Sequence, residues 1–383
     1  MPTSVDLASL CLFPATLAQV AESRKRQYPE WAGHLTFEQF TERDLAYDNL
    51  EHAKGGRMTI WVLAPRVDPQ TLDFACACET YRRDAFVKWS DGKVEEVVGF
   101  GIASVYTPDG KRHKGYASHM MRLLHWVLTS DSLKEEDFPK AWGSPPPKVQ
   151  GAGDAKFSVL YSDAGPEFYR TCGPTEGKSG GWEVKGAVST LWDVPDEAIL
   201  EESHSWRDIR EEEELKVFWE KDAQLMRQTL AARQPEAGKV AAASFSPHKG
   251  VAMFQVPRSK FHTHHLFTLD VWGTELADPT QDVPTYATWA VDLSYKPRRL
   301  LITRMSASSE TFPVLLKKIF GVAKHAGLQK VEIWNLDKSL LSAAEALRGR
   351  TYERSEHISA FRWYGEEPTS EIQWTFNEKF GWC

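Results

Sequence analysis

The sequence contains no run approaching the roughly eighteen apolar residues that a membrane-spanning helix requires. Its N-terminus has no basic segment followed by an apolar core, so no secretory leader is expected. Cysteine is scarce. Cys11, Cys76, Cys78, Cys172 and Cys383 form an odd, scattered set, which argues against a disulfide framework and for a reducing compartment, the cytoplasm. Cys76 and Cys78 would share one face of a strand, a spacing that suits buried thiols and makes neither a redox nor a zinc motif. Positive charge is not in excess: the formal net charge is −7, so general nucleic-acid binding is not expected. The string of a kinase-type phosphate loop is missing, and no Gly-rich turn opens a βαβ unit as a dinucleotide fold would need. His262-Thr263-His264-His265 has no acidic or cysteine partner nearby in sequence, so exposed imidazoles rather than a metal centre are expected.

What is present is a basic turn between an extended run and a helix. The apolar stretch 97–106 leads into Arg112-His113-Lys114-Gly115-Tyr116-Ala117, and the helical stretch 118–128 follows. The first turn of a helix has backbone N–H groups without intrahelical partners, and the dipole favours negative charge there. Gly115 has no Cβ to hinder a phosphate, and Arg112, His113 and Lys114 add side-chain donors. Downstream, 156–161 reads as a short strand, with Pro166 and Gly173 marking the start and stop of a helix that carries Tyr169.

The rest of the first half reads as strand, two helices and a meander. Thr36 is a plausible helix cap, and Asp91-Gly92 marks a hairpin turn. The order is β-α-α-β-β-β-α-β-α, with one parallel pair made through the Gly115 helix. If the strands ending at Tyr106 and beginning at Lys156 splay apart, their free backbone groups can hold an extended ligand, as a sheet edge holds an added strand. The segment 133–155, with three consecutive prolines, reads as a long polar loop. The charged stretch 201–234 suggests an amphipathic helix whose Glu211–Glu214 run is its solvated start. The second half repeats strand, helix, strand, helix over 299–347, without a counterpart of the basic glycine turn at 306–310. The expected organisation is a catalytic domain over 1–195, a connecting helix and linker over 196–238, and a second domain over 239–383.

The pattern Arg112-x-x-Gly115-x-Ala117, the meander before it and the Tyr169-x-x-x-Gly173 spacing after it resemble the GCN5-related N-acetyltransferases, the GNAT superfamily. The resemblance implies an α+β fold with a mixed, mostly antiparallel sheet and a splayed parallel pair, followed by a degenerate second copy. It also implies that acetyl-CoA is the co-substrate, that the loop from Arg112 through Tyr116 and Ala117 to Ser118 grips its pyrophosphate, and that no metal is used. Backbone N–H groups at Val105 or Tyr106 would meet the oxyanion, and Tyr169 would protonate the departing thiolate. The family's usual Asn at the strand end is replaced by Ser162, and the Phe after the helix glycine is Pro174, so Ser162 is left to face the pantetheine arm.

A closer likeness is to the fungal lysine N6-acetyltransferases of lysine catabolism. It rests on Ser104-Val105-Tyr106-Thr107-Pro108, on the run from Tyr161 to Tyr169, on Arg354-x-Glu356-His357-Ile358, on Trp363-Tyr364-Gly365 and on the Trp382-Cys383 pair. It implies free L-lysine as the acceptor, with Arg354, Arg362 or His357 holding its carboxylate if the second domain faces the cleft. The amine must lose its proton before attack, since its reference pKa is near 10.4. Glu79, on the strand beside the splay, is the first choice of base, with Glu95, Glu96, Asp163 and a water chain as alternatives. The rival readings are a protein lysine or N-terminal acetyltransferase with an open groove, and a CoA binder without catalysis.

Overall fold

Two threonines begin the helical layer. Thr16 and Thr36 each accept a hydrogen bond from the backbone N–H three residues on, and the Gln19 and Gln39 side chains bond back to close capping boxes. The computed structural model describes residues 6–200, 205–263, 269–277, 283–292 and 296–383. In chain order the first half contains β1 (Leu10–Pro14), α1 (Leu17–Trp31), α2 (Phe37–Asp48), β2 (Met58–Pro65), β3 (Cys76–Trp89), β4 (Val94–Tyr106), α3 (Tyr116–Leu128), β5 (Ala155–Ser162) and α4 (Glu167–Arg170). The strands β6 (Glu183–Val184), β7 (Val188–Asp193) and β8 (Trp206–Ile209) lead to α5 (Glu212–Ala232). Then come β9 (Ala241–Phe245), α6 (Gln255–Thr263), β10 (Gly273–Leu276), β11 (Tyr286–Asp292), β12 (Arg299–Ser306), α7 (Phe312–His325) and β13 (Lys330–Trp334). The chain closes with α8 (Leu341–Ala346), β14 (Arg350–Glu353), β15 (Ile358–Trp363) and β16 (Ile372–Trp374). Among the described residues no helix is long and apolar enough to cross a membrane.

Two mixed sheets result. The first runs β1-β2-β3-β4-β5-β15-β6, with β9 on the outer half of β3 and β16 on β9. The second runs β14-β7-β13-β12-β11-β10-β8. Each contains one β-α-β unit with a parallel pair, β4-α3-β5 in the first and β12-α7-β13 in the second. The sheets do not respect the boundaries read from sequence. β7 lies before residue 195 yet pairs with β13 and β14, while β9, β15 and β16 lie after residue 239 yet complete the first sheet. The physical reason is edge coverage: β5 would otherwise present an unpaired edge, and β15 satisfies it from Ile358 against Ser162 to Trp363 against Phe157.

Helix α3 buries Met120, Met121, Leu123, Leu124, Val127 and Leu128 against β3, β4 and β5, forming the core on one face of the first sheet. The core on the other face is closed by α5, whose Leu215, Phe218, Trp219 and Met226 meet Phe157, Phe245 and Phe361. The 133–155 segment is packed rather than a free polar loop: Phe138 and Trp142 are buried beside Trp126, and the Arg66 guanidinium donates to the Trp142 and Ser144 carbonyls. Two aromatic side chains among the prolines supply the burial that composition hid.

Candidate active site

The splay arises in β4. Its parallel pairing with β5 runs from Val98 to Ile102 and then stops, although β4 continues to Tyr106. On the β3 side the register slips between Ala77 and Glu79, so that Ala103 faces Glu79 while Tyr106 faces Ala77. Ser104 lies within this bulge at φ 53°, a left-handed conformation that a non-glycine residue adopts at a cost. Val105 and Tyr106 therefore have no β5 partner, and Tyr161 and Ser162 pair with β15 instead.

Beyond Tyr106 the chain turns through His113 at φ 62° and Gly115 at φ 80°, then enters α3 with no side chain capping it. The helix starts at Gly115, whose carbonyl accepts from His119 N–H at 3.0 Å. The positive φ is what requires glycine here, since a Cβ would meet only Leu7 Cδ1 at an ordinary 3.6 Å. The first-turn N–H groups of Tyr116, Ala117 and Ser118 are left at the positive end of the dipole.

Arg112 and Lys114 are otherwise engaged. Arg112 pairs with Glu30 at 2.6 Å and with Asp109 at 2.8 Å, and its Nε donates to the Thr107 carbonyl. Lys114 Nζ donates to the Gly110 carbonyl at 3.1 Å. His113 is exposed. The cradle is thus backbone, with Arg112 bracing it against α1. Tyr106 stacks edge-on against Trp31 at 5.5 Å, beneath the Arg112 guanidinium. Ser162 spends its hydroxyl on the turn after β5, donating to the Gly165 carbonyl and accepting from Ala164 N–H.

A cavity of about 520 Å³ touches β4 at Ala103 and Ser104. Its walls come from α1, α2, β3 and β5, and from the second half of the chain through Phe254, Arg258, Asp292, His357, Trp382 and Cys383. Glu79 stands where cavity and bulge meet. Its Oε2 accepts from Ser104 Oγ at 2.8 Å and from Tyr81 Oη at 2.9 Å. Burial raises its pKa, partly opposed by those two hydrogen bonds, with Asp44 pushing it further up and Arg24 down. The Ser104 bond ties the carboxylate to the strained residue of the bulge.

The other carboxylates considered are placed differently. Asp163 lines the cavity and accepts from His357 N–H at 2.7 Å. Glu95 and Glu96 lie at the far end of β4, nine and eight residues from Ser104, roughly 30 Å along an extended strand. Glu95 is held there by Lys93 and by Trp89 Nε1.

Tyr169 does not line the cavity. It is buried on the α3 side, edge-on to Phe168 and Trp182, and burial pushes its phenol above the usual range, with Cys172, Cys78 and Asp163 adding to the rise. It therefore stays protonated, the form a proton donor needs.

Neither arginine singled out from sequence reaches the cavity. Arg354 is buried with its guanidinium 3.8 Å over the Trp334 ring and donates to Ser359 Oγ at 2.8 Å. Arg362 turns towards Thr369. His357 does line the cavity, at φ 47°, but burial and the nearby Lys379 lower its pKa to about 4, so it is neutral at physiological pH and is no cation. The cavity's cationic groups are Arg24, Arg43 and Arg258, which no local motif marked. Among the described residues no three His, Cys, Asp or Glu side chains converge as a metal site would require. The His262–His265 side chains lie outside the described residues.

Comparison with known proteins bears on this geometry. Residues 193–383 match the family model described as the LYC1 GNAT-like C-terminal domain. A lysine acetyltransferase from Yarrowia lipolytica is 29% identical over 157 residues, which is 40% of this chain and only 38% of that protein's length. A GCN5-related N-acetyltransferase from Kribbella flavida superposes with a TM-score of 0.50 at 16% identity, covering 92% of this chain and 71% of its own. Another from Anabaena variabilis gives a TM-score of 0.52 at 15% identity, covering 92% of this chain and 72% of its own. At such identities these two structures speak to the fold.

The bulged, splayed parallel pair, the glycine turn into α3 and the two superpositions give the chain the fold of the GCN5-related N-acetyltransferases, and residues 193–383 belong to the GNAT-like family whose model they match. Within the superfamily it resembles the fungal lysine acetyltransferases, and its second sheet is GNAT-like without a glycine turn. GNAT-fold enzymes use acetyl-CoA, and the residues here suit it. The uncapped α3 start with Gly115 in the left-handed region fits a pyrophosphate, and the unpaired end of β4 fits an extended pantetheine arm.

Proposed function

We propose that this protein transfers the acetyl group of acetyl-CoA to the ε-amine of free L-lysine, giving N6-acetyl-L-lysine by direct transfer in a ternary complex. The observation that carries this reading is the cavity beside the bulge, with Glu79 at the meeting point. The bound acetyl-CoA supplies an activated acyl group, and the protein supplies placement and proton handling. Backbone N–H groups at Tyr116, Ala117 and Ser118 hold the pyrophosphate, braced by Arg112, His113 and Lys114 around Gly115. Val105 and Tyr106 offer backbone to the pantetheine arm and the developing oxyanion, with Ser162 shaping the facing turn.

Glu79 takes the proton of the ε-ammonium, and its raised pKa suits that task better than an ordinary carboxylate would. Tyr169, protonated and on the α3 side, supplies the proton for the thiolate. With the cradle at the α3 N-terminus and the acceptor in a cavity bounded by other elements, both reactants fit together, which favours direct transfer over a relay. The cavity's contributors from both halves favour a small molecule over a protein chain, which would need an open groove. A cytoplasmic place in lysine catabolism follows from the resemblance, and the five unpaired cysteines support a reducing compartment.

The test is to follow acetyl-CoA consumption with free lysine, ornithine, polyamines and a histone-tail peptide in parallel, with mass spectrometry of the products. N6-acetyl-lysine from free lysine, well ahead of the peptide, is the expected result. Acetylation of the peptide with free lysine untouched would overturn the reading in favour of a protein acetyltransferase.

A further inference from the structure

The three arginines on the cavity wall are not equivalent. Arg24 is spent on α2, with Nη2 at 2.6 Å from Asp48 and Nε at 3.6 Å from Asp44. Arg43 places Nε and Nη2 on one oxygen of Asp44, at 2.9 and 2.7 Å. Both side chains are about nine-tenths buried in these pairs. Arg258, on α6, makes one long contact, Nη1 to Asp292 Oδ2 at 3.4 Å, and its remaining guanidinium N–H groups have no partner among the described residues.

That guanidinium is nonetheless held in place. It lies 4.6 Å over the Trp382 ring, and the Trp382 carbonyl accepts from Gln255 Nε2 at 2.8 Å, so α6 carries both the arginine and the anchor of the ring beneath it. A planar fork with spare donors, stacked on an aromatic face and turned to a cavity, is the arrangement that recognises a carboxylate bidentately. Asp292 does not use it up, because Lys379 Nζ lies 3.9 Å from the same Oδ2 oxygen.

We infer that Arg258, fixed by Trp382, is the specificity residue that binds the α-carboxylate of the acceptor, with the reactive amine directed to Glu79. This rests on the reading of the acceptor as a free amino acid, and it moves the carboxylate grip from Arg354 to α6. The acceptor class is then an amino acid with a distal amine, and diamines lacking the carboxylate are poor acceptors.

The experiment compares L-lysine with 1,5-diaminopentane, which is lysine without its carboxylate, in the wild-type protein and in Arg258→Gln and Arg258→Lys. Wild type should favour lysine in kcat/KM by about thirtyfold, the scale of a lost charged hydrogen-bond pair. Arg258→Gln should bring that ratio to within a few-fold of one, Arg258→Lys should restore part of it, and KM for acetyl-CoA should not move. The ratio is internal to each variant, so partial unfolding cannot imitate the result. If lysine is acetylated but the ratio is unchanged in Arg258→Gln, or is near one in the wild type, the assignment of Arg258 fails while the proposed function stands. If only the peptide is acetylated, both fail.

Discussion

The units β4-α3-β5 and β12-α7-β13 are built alike and end differently. Each forms a parallel pair through a helix, and in each the first strand outruns its partner: β4 pairs to Ile102 and continues to Tyr106, while β12 pairs to Ile302 and continues to Ser306. In the first unit the turn leaves backbone donors unclaimed. In the second they are taken. Ser308 Oγ accepts from the N–H groups of Glu310 and Thr311, and Thr311 Oγ1 accepts from Ser308 N–H at 3.0 Å and from the Thr285 hydroxyl at 2.8 Å. The open edge of β12 is filled as well: Glu378 Oε2 accepts from Met305 N–H at 3.2 Å and is gripped by Arg304. The same topology leaves a helix start open in one place and makes a closed joint in the other, and the difference is which backbone N–H groups the protein satisfies for itself.

The sharpest way to break that comparison is at Glu79, which has no counterpart role in the second unit. Glu79→Gln should lower kcat by about 10² to 10⁴-fold, the span of a general base. The wild-type rate should fall as pH drops through a carboxylate pKa raised above its usual value, because the base must be ionised, and the variant should lose that limb. Tyr169→Phe should lower kcat by about 10²-fold while leaving the equilibrium affinity for acetyl-CoA intact, as titration calorimetry would show. Gly115→Ala should raise KM for acetyl-CoA by about 5 to 30-fold, the cost of forcing a Cβ into the left-handed region, with KM for lysine unchanged. The mirror change, Ser308→Ala, should cost only about 1 kcal/mol of stability in a thermal melt and leave both KM values alone. A rise in KM for acetyl-CoA in Ser308→Ala would mean that the second unit is not closed.

Local chemistry was legible in the sequence, and distant pairing was not. The capping Thr36, the Asp91-Gly92 hairpin, the turn at Gly115 and the repeated strand-helix order after Arg299 follow from residues close together in the chain. The position of Glu79 beside the splay was equally readable, because register along a hairpin is set by the turn. The insertion of β15 beside β5 and of β7 beside β13 was hidden, since an edge more than a hundred residues away leaves no local signal. Arg258 was missed for the same reason: nothing near it in sequence shows that α6 packs over Trp382. Arg354 misled because a motif says which residues are neighbours in sequence, not whether the side chain faces a cavity or an indole ring.

The residues from Asn377 to Cys383 touch both sheets and the cavity. Asn377 donates to the Lys185 carbonyl, Glu378 closes the second unit, the Gly381 carbonyl accepts from Arg83, and Trp382 and Cys383 form part of the cavity wall. One short segment late in the sequence thus ties the first sheet, the second β-α-β unit and the cavity wall together. Removing these seven residues would therefore loosen both sheets and open the cavity in a single cut.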